Sequence, residues 1–291
     1  MKRSRLGVVI CISVSLLCSS CSSAFVEANS GPITAILGAF DEEIVTLDEQ
    51  LTDRRDLEIE GIRFVTGELK ARRVVLACTG IGKVNAAMTT TLLIEHFRPD
   101  EVIFTGIAGG INPELFPGDV VIAEKTAQHD LGTLTPSGLE NKAVRNPVDG
   151  MRNPVFFPAD ERLLKLAELA AKHVKLETIE TGAGKRPPKV VKGVVVTGDV
   201  FAASAAKCSE LRNRLGADAV EMEGAAVAQI CYQQQTPCLV IRGISDKAND
   251  ESLEDVHMFY RMAAENSASL VAKIAELLAS EFSVEKTGKS R

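Results

Sequence analysis

The sequence predicts an α/β domain built on a well-covered sheet, and three observations predict it. Apolar runs of strand length recur at 32–40, 72–78, 101–104, 190–196 and 236–244, and several end in a glycine- or acid-rich turn that opens a helical pattern. The composition, 45% hydrophobic and 25% charged over 291 residues, is that of a soluble chain able to bury one sizeable core. No internal repeat and no change of composition marks a second domain, so residues 33–282 read as one.

The start of the chain follows another pattern. Lys2, Arg3 and Arg5 precede an apolar run at 6–18 and small residues follow it, the layout of a secretory signal peptide over residues 1–20. The run is shorter than the roughly 20 residues that a membrane span requires. Leu17-Cys18-Ser19-Ser20-Cys21 resembles a bacterial lipoprotein signal with Cys21 as the lipidated residue, although Cys18 stands where an aliphatic side chain is usual. Cleavage after Ala24 or Ala28 is the alternative. Either way the expected location is outside the cytoplasm, periplasmic or membrane-anchored. Starting at Cys21, 271 residues carry 30 basic and 39 acidic side chains, a net charge of −9 that disfavours nucleic acid as a partner.

Beyond the leader, Cys78, Cys208, Cys231 and Cys238 are widely spaced and read as small buried apolar residues, not a disulfide framework. Among these cysteines and the four scattered histidines no pair has metal-ligand spacing, and neither a metal nor another cofactor is expected.

Taken in order, 32–40 is a covered strand whose turn, Asp41-Glu42-Glu43, opens a helix. The helix dipole accounts for one or two of those acids, which leaves one to point back over the strand end. Residues 57–68 alternate around Gly61 and predict a hairpin, and 72–78 is the next strand. Thr79-Gly80-Ile81-Gly82-Lys83-Val84 then leads into a helix over 86–97 and presents backbone N–H groups to an anion or polar ligand. It is not a Walker loop, because Lys83 is followed by Val84. Strand 101–104 ends in Thr105-Gly106-Ile107-Ala108-Gly109-Gly110, which is either a plain glycine turn or a place where backbone approaches a flat ligand.

A turn and strand follow at 118–123, then a long segment, 124–158, rich in Pro, Gly and Asn, reads as an irregular functional loop. A helix over 159–176 and a basic-tinged mobile turn over 178–188 precede the β-branched strand 190–196, beyond whose end stands Phe201. A helix over 204–215 leads to Val220-Glu221-Met222-Glu223-Gly224. Residues two apart at a strand-to-helix junction can diverge, one into the interior and one into the cavity that such junctions border. A carboxylate there accepts bonds from both hydroxyls of a cis-diol and Met222 offers a soft apolar face to a sugar ring; the plainer reading is a helix N-terminus with acids set against the dipole. The last strand, 236–244, closes with Arg242-Gly243-Ile244-Ser245-Asp246, and a long amphipathic helix ends near Phe282.

In this order the strand-end motifs resemble the nucleoside phosphorylase and nucleosidase superfamily, most closely its methylthioadenosine/S-adenosylhomocysteine nucleosidases. Gly38-Ala39-Phe40-Asp41-Glu42-Glu43 is similar to the family's opening Gly-Ala-Met-Glu-Glu-Glu, and Gly80-Ile81-Gly82-Lys83-Val84 to its glycine loop. Thr105 to Gly110, Val220 to Glu223 and Ile244 to Asp246 match in sequence and spacing. The resemblance implies a nucleoside phosphorylase-like three-layer αβα sandwich with a central mixed sheet, a homodimer, and hydrolysis of the N-glycosidic bond of a 5′-modified adenosine. Other purine nucleosidase or phosphorylase chemistry, or an exported binding protein on this fold, are the alternatives. By motif position Glu43 would activate water with Arg242 nearby, and Asp246, aided by Ser245, would protonate purine N7. Glu223 and Met222 would hold the ribose, Phe201 and Ala202 the adenine, with Thr79 and Gly109 completing the substrate site. The segment after His129-Asp130 is longer than the family's and contains neither Tyr nor Trp, leaving Leu134, Met151, Phe156 and Phe157 to serve the 5′ group.

Overall fold

The computed structural model describes residues 31–181 and 184–288; the signal segment expected over 1–20, Cys21 and the expected cleavage points after Ala24 or Ala28 lie outside them. Strand β1 (Ile33–Gly38) is buried at every residue after Ile33. It lies between two parallel neighbours, β4 (Arg72–Cys78) and β5 (Glu101–Phe104), which is why its sequence is a continuous apolar run and not an alternating one. Helix α1 (Asp41–Asp48) and the antiparallel hairpin β2 (Thr52–Ile59) and β3 (Ile62–Leu69) connect β1 to β4. The hairpin turns at Glu60 and Gly61, both at positive φ. Helix α2 (Lys83–Phe97) begins earlier than the sequence predicts, because Gly82 at φ +94° turns the chain sharply into it.

The remaining elements are β6 (Ile107–Gly110), β7 (Val120–Gln128), β8 (Gly132–Thr135), β9 (Gly138–Asn141), β10 (Phe156–Pro158), α3 (Glu161–Ala171), β11 (Ile179–Thr181), β12 (Gly184–Arg186), β13 (Val190–Thr197), α4 (Ala205–Leu215), β14 (Ala219–Glu221), α5 (Gly224–Gln233), β15 (Cys238–Asp246) and α6 (Ser252–Gly288). The mixed sheet runs β10-β7-β13-β14-β6-β15-β5-β1-β4-β3-β2, and a further antiparallel pairing of β7 with β15 closes one half on itself. Helices α1, α3 and α6 pack on one face, α2 and α5 on the other, which makes the three layers. Among the described residues no helix is long and apolar enough to cross a membrane.

Two expectations are corrected. Segment 124–158 is not irregular: β7 continues to Gln128, β8 and β9 form a hairpin, Arg145 bridges Arg152, and β10 pairs with β7. Segment 178–188 likewise contains the β11–β12 hairpin, tied to the body by an Arg186–Asp119 ion pair at 2.7 Å. Both are polar stretches whose strand character comes from pairing with a partner, not from an apolar face, so periodicity does not reveal them.

Candidate active site

The sheet is mixed: β1, β4, β5 and β15 run parallel to one another, β13 and β14 run the opposite way, and the pairing of β7 with β15 closes that half of the sheet on itself. Contacts across the strand ends gather the site: Glu43, after β1, reaches Ile107 beyond β5, Glu223, after β14, reaches Gly82 beyond β4, and Asp246, at the end of β15, lies against Gly109, while Thr79 and Phe201 follow β4 and β13.

Glu43, in the first turn of α1, folds back over the end of β1 and is 3% exposed. Its Oε2 accepts the N–H of Ala39 and its Oε1 the N–H of Ile107 at 2.8 Å. The glycine turn after β5 makes room for it: a Cβ on Gly106 would lie 2.2 Å from Glu43 Oε1. Burial raises the pKa of Glu43, against the pull of the Arg242 guanidinium and the two backbone donors.

Glu221 and Glu223 diverge, as residues two apart at this junction can. Glu221 turns inward, where its Oε2 accepts Arg242 Nη2 at 2.6 Å and Nε at 3.2 Å together with the backbone N–H of Glu223 and Gly224. Thr197 donates to its other oxygen. Glu223 turns the other way and its Oε1 accepts the N–H of Gly82 at 2.7 Å, so the polar group that the glycine loop holds is a side chain of the protein itself. Burial first, then the neighbouring Glu221 carboxylate, push Glu223 up to about 8. Met222 beside it is half-buried.

Arg242 is 1% exposed, stacked 4.0 Å from the centre of the Phe104 ring and paired to Glu221. It acts on Glu43 and Glu223 through its field, and the structure gives it no hydrogen bond to either.

Ser245 and Asp246 end β15 itself, immediately after the apolar run stops at Ile244, and both are buried. Asp246 Oδ2 accepts the Ser245 hydroxyl at 2.8 Å and Oδ1 the N–H of Ala248 at 2.7 Å. Burial raises its pKa against these donors. Gly109 sits where a Cβ would lie 2.9 Å from Asp246 Oδ1, so both glycines singled out in this turn make space for acids.

Thr79 is buried, with its hydroxyl donating to the Gly80 carbonyl at 2.9 Å. Phe201 and Ala202 lie on the loop between β13 and α4; Phe201 is 47% exposed, while Ala202 is half-buried against the cluster under α4. Phe157 is withdrawn from the 5′ role that its sequence position offered: it is 4% exposed in the core and edge-on to Tyr232. Leu134 and Met151 are exposed at 82% and 67%. The residues that sequence reasoning missed are Gly82, as a donor to Glu223, and Thr197 and Phe104, which seat Glu221 and Arg242; strand ends alone carry no sign of them.

A family model described as the phosphorylase superfamily matches residues 33–276. A 5′-methylthioadenosine/S-adenosylhomocysteine nucleosidase of Anoxybacillus flavithermus is 41% identical over 238 residues, 81% of this chain and 95% of that protein. Among solved structures, the nucleosidase of that name from Neisseria meningitidis in complex with methylthio-immucillin-A is 36% identical, with a TM-score of 0.74 over 84% of this chain and 99% of that one. The one from Colwellia psychrerythraea in complex with adenine is 35% identical, with a TM-score of 0.74 over 85% and 96%.

Proposed function

The chain belongs to the phosphorylase superfamily, and from that premise we propose that it hydrolyses the N-glycosidic bond of 5′-methylthioadenosine and S-adenosylhomocysteine, releasing adenine and the 5-substituted ribose. The observation that carries the reading is the pair of buried acids at the ends of β1 and β15, each seated by a glycine and by backbone donors. Cleavage builds positive charge on the ribose and negative charge on the departing base, so a carboxylate is needed at the sugar and a proton donor at the base. Asp246, whose pKa burial raises, carries the proton to purine N7 while Ser245 orients it. Glu43 orients a water molecule and takes its proton as oxygen bonds to the anomeric carbon and the carbon–nitrogen bond breaks. Glu223 holds the ribose hydroxyls beside Met222, with Thr79 at the same rim, and Phe201 and Ala202 receive the adenine.

Water and not phosphate is the nucleophile in this reading. Glu43 lies at the end of β1 beside two further acids, Asp41 and Glu42, which repel a dianion, and Arg242 is already paired to Glu221. Adenine release in phosphate-free buffer with a free 5-substituted ribose as co-product is the expected result. Strict dependence on phosphate, with a ribose 1-phosphate product, refutes it.

We also propose a homodimer and an exported, lipid-anchored protein. The exposed apolar residues Ile81 in the glycine loop and Val84 and Met88 on α2, with Val84 80% exposed, support a second copy as their cover, and sedimentation at micromolar concentration tests it. Lys2, Arg3, Arg5 and the Ser-Ser-Cys run support the anchor at Cys21. Fractionation of cells carrying Cys21→Ser tests that: release to the soluble fraction is expected, and unchanged membrane attachment removes Cys21 as the anchor.

A further inference from the structure

Three segments that meet beside Gly82 and Glu223 are tied to one another by a set of bonds that the hydrolytic reading does not use. Lys83, the first residue of α2, reaches Asp130 Oδ1 with its ammonium at 2.7 Å. The other oxygen of Asp130 accepts the N–H of Asp199 at 3.0 Å, and Asp199 Oδ1 in turn accepts the backbone N–H of Lys83 at 2.8 Å. The circuit is closed: glycine loop to the turn after β7, that turn to the loop after β13, and that loop back to the glycine loop. Each link joins residues far apart in sequence, so no local turn preference substitutes for it.

Two members of this circuit, Lys83 and Asp199, abut groups that the hydrolytic reading assigns to the substrate. Gly82, adjacent to Lys83, is the donor that holds Glu223. Asp199 lies two residues before Phe201. The loop that carries Phe201 has little else to hold it, since Val200 and Phe201 are 57% and 47% exposed and Ala202 alone reaches an apolar cluster. Asp130, in contrast, is delivered by a rigid element: the N–H of His129 donates to the Thr197 carbonyl at 2.8 Å, and the imidazole fills the space over Gly198, where a Cβ would lie 2.2 Å from Nε2. A lone exposed ion pair contributes little, but here one carboxylate serves an ammonium and a backbone donor at once, and the Lys83 side chain is only 17% exposed.

We propose that Asp130 and Lys83 form a clasp that holds the base-receiving loop against the sugar-binding acid, which makes Asp130 a positioning residue that sets the affinity for the nucleoside. The proposal rests on the hydrolytic reading above for what the loop receives. A loop already ordered costs less to close on a ligand, and a loop that must be ordered on binding weakens substrate and transition state alike. The signature is therefore in KM.

The test is steady-state adenine release by the parent protein and by Asp130→Ala, Lys83→Met, the double variant and Asp130→Asn, with hydrogen exchange at residues 198–204 measured on each. Asp130→Ala and Lys83→Met are expected to raise KM about tenfold with kcat within about threefold and an unchanged melting temperature, and the double variant to be no worse than the worse single. Asp130→Asn, which keeps an acceptor for the Asp199 N–H, is expected to recover part of the loss. Exchange at 198–204 is expected to quicken in Asp130→Ala whether or not the substrate has been correctly identified. Unchanged exchange overturns the clasp, as does an unchanged KM in an active parent, additivity of the two single variants, or a loss confined to kcat and melting temperature. A parent that releases no adenine overturns the hydrolytic reading alone, and the exchange data then decide the clasp.

Discussion

Gly106→Ala is the perturbation that most directly engages how the site is built. The added methyl group would lie 2.2 Å from Glu43 Oε1, 2.5 Å from its carboxyl carbon and 2.8 Å from Oε2, so it replaces the carboxylate and does not merely crowd it. Glu43 must withdraw from at least one of the two N–H groups, of Ala39 and Ile107, that hold it. A hydrogen bond to a charged group contributes about 1.5–3 kcal/mol, and a displaced attacking-side carboxylate loses its alignment with the water as well. A loss of ~3–4 kcal/mol of transition-state stabilisation corresponds to about 10²–10³ in kcat/KM. The backbone adds its own cost, because Gly106 sits at φ +154°, a conformation that costs a non-glycine residue on the order of 1–3 kcal/mol and a chain of this size roughly 5 °C in Tm. The assay is adenine release on protein whose circular dichroism and melting are recorded in parallel. A Gly106→Ala protein that is folded and within about threefold of parental kcat/KM would refute the account of Glu43 as a carboxylate seated by this glycine.

Asp246→Asn and Glu43→Gln are each expected to lower turnover a hundredfold or more, the range of acid–base residues, and near-parental activity of folded Asp246→Asn removes it as the proton donor. Arg242→Met leaves Glu221 buried without its cation and is expected to cost about 3–5 kcal/mol in denaturant unfolding, a loss that unchanged midpoints would contradict. Glu223, held at about 8 in the folded protein against 4.5 in the unfolded chain, binds its proton more tightly when folded, so the stability it contributes is present below pH 4.5 and is lost as pH rises toward 8. Glu223→Gln is therefore expected to flatten the decline in urea midpoint between pH 5 and 8, as well as to weaken sugar binding and rate; parallel profiles for parent and variant would contradict the assignment.

What the sequence by itself determined is the chemistry and the place where it collects. The apolar runs that become β1, β4, β5, β13 and β15 are legible because strands covered on both faces are continuously apolar, and Glu43 after β1, Glu223 after the short β14 and Asp246 at the end of β15 are the acids the motif order singled out. The glycine loop before α2 was legible as a polar-group binder because a turn into a helix leaves N–H groups unpaired. Only the tertiary structure decided what those features bind. Glu221 turns to Arg242, 21 residues later and buried beside Phe104, and Glu223 turns the other way to Gly82, 141 residues earlier. Gly106 and Gly109 are required by the carboxylates that occupy their missing side chains' space, a relation between strand ends far apart in the chain. The strands hidden in 124–158 and 178–188 exist through pairing alone. Local sequence carries backbone preference and hydrophobic period; the direction of a buried carboxylate and the pairing of a polar strand are set by partners that only the folded chain brings within hydrogen-bonding distance.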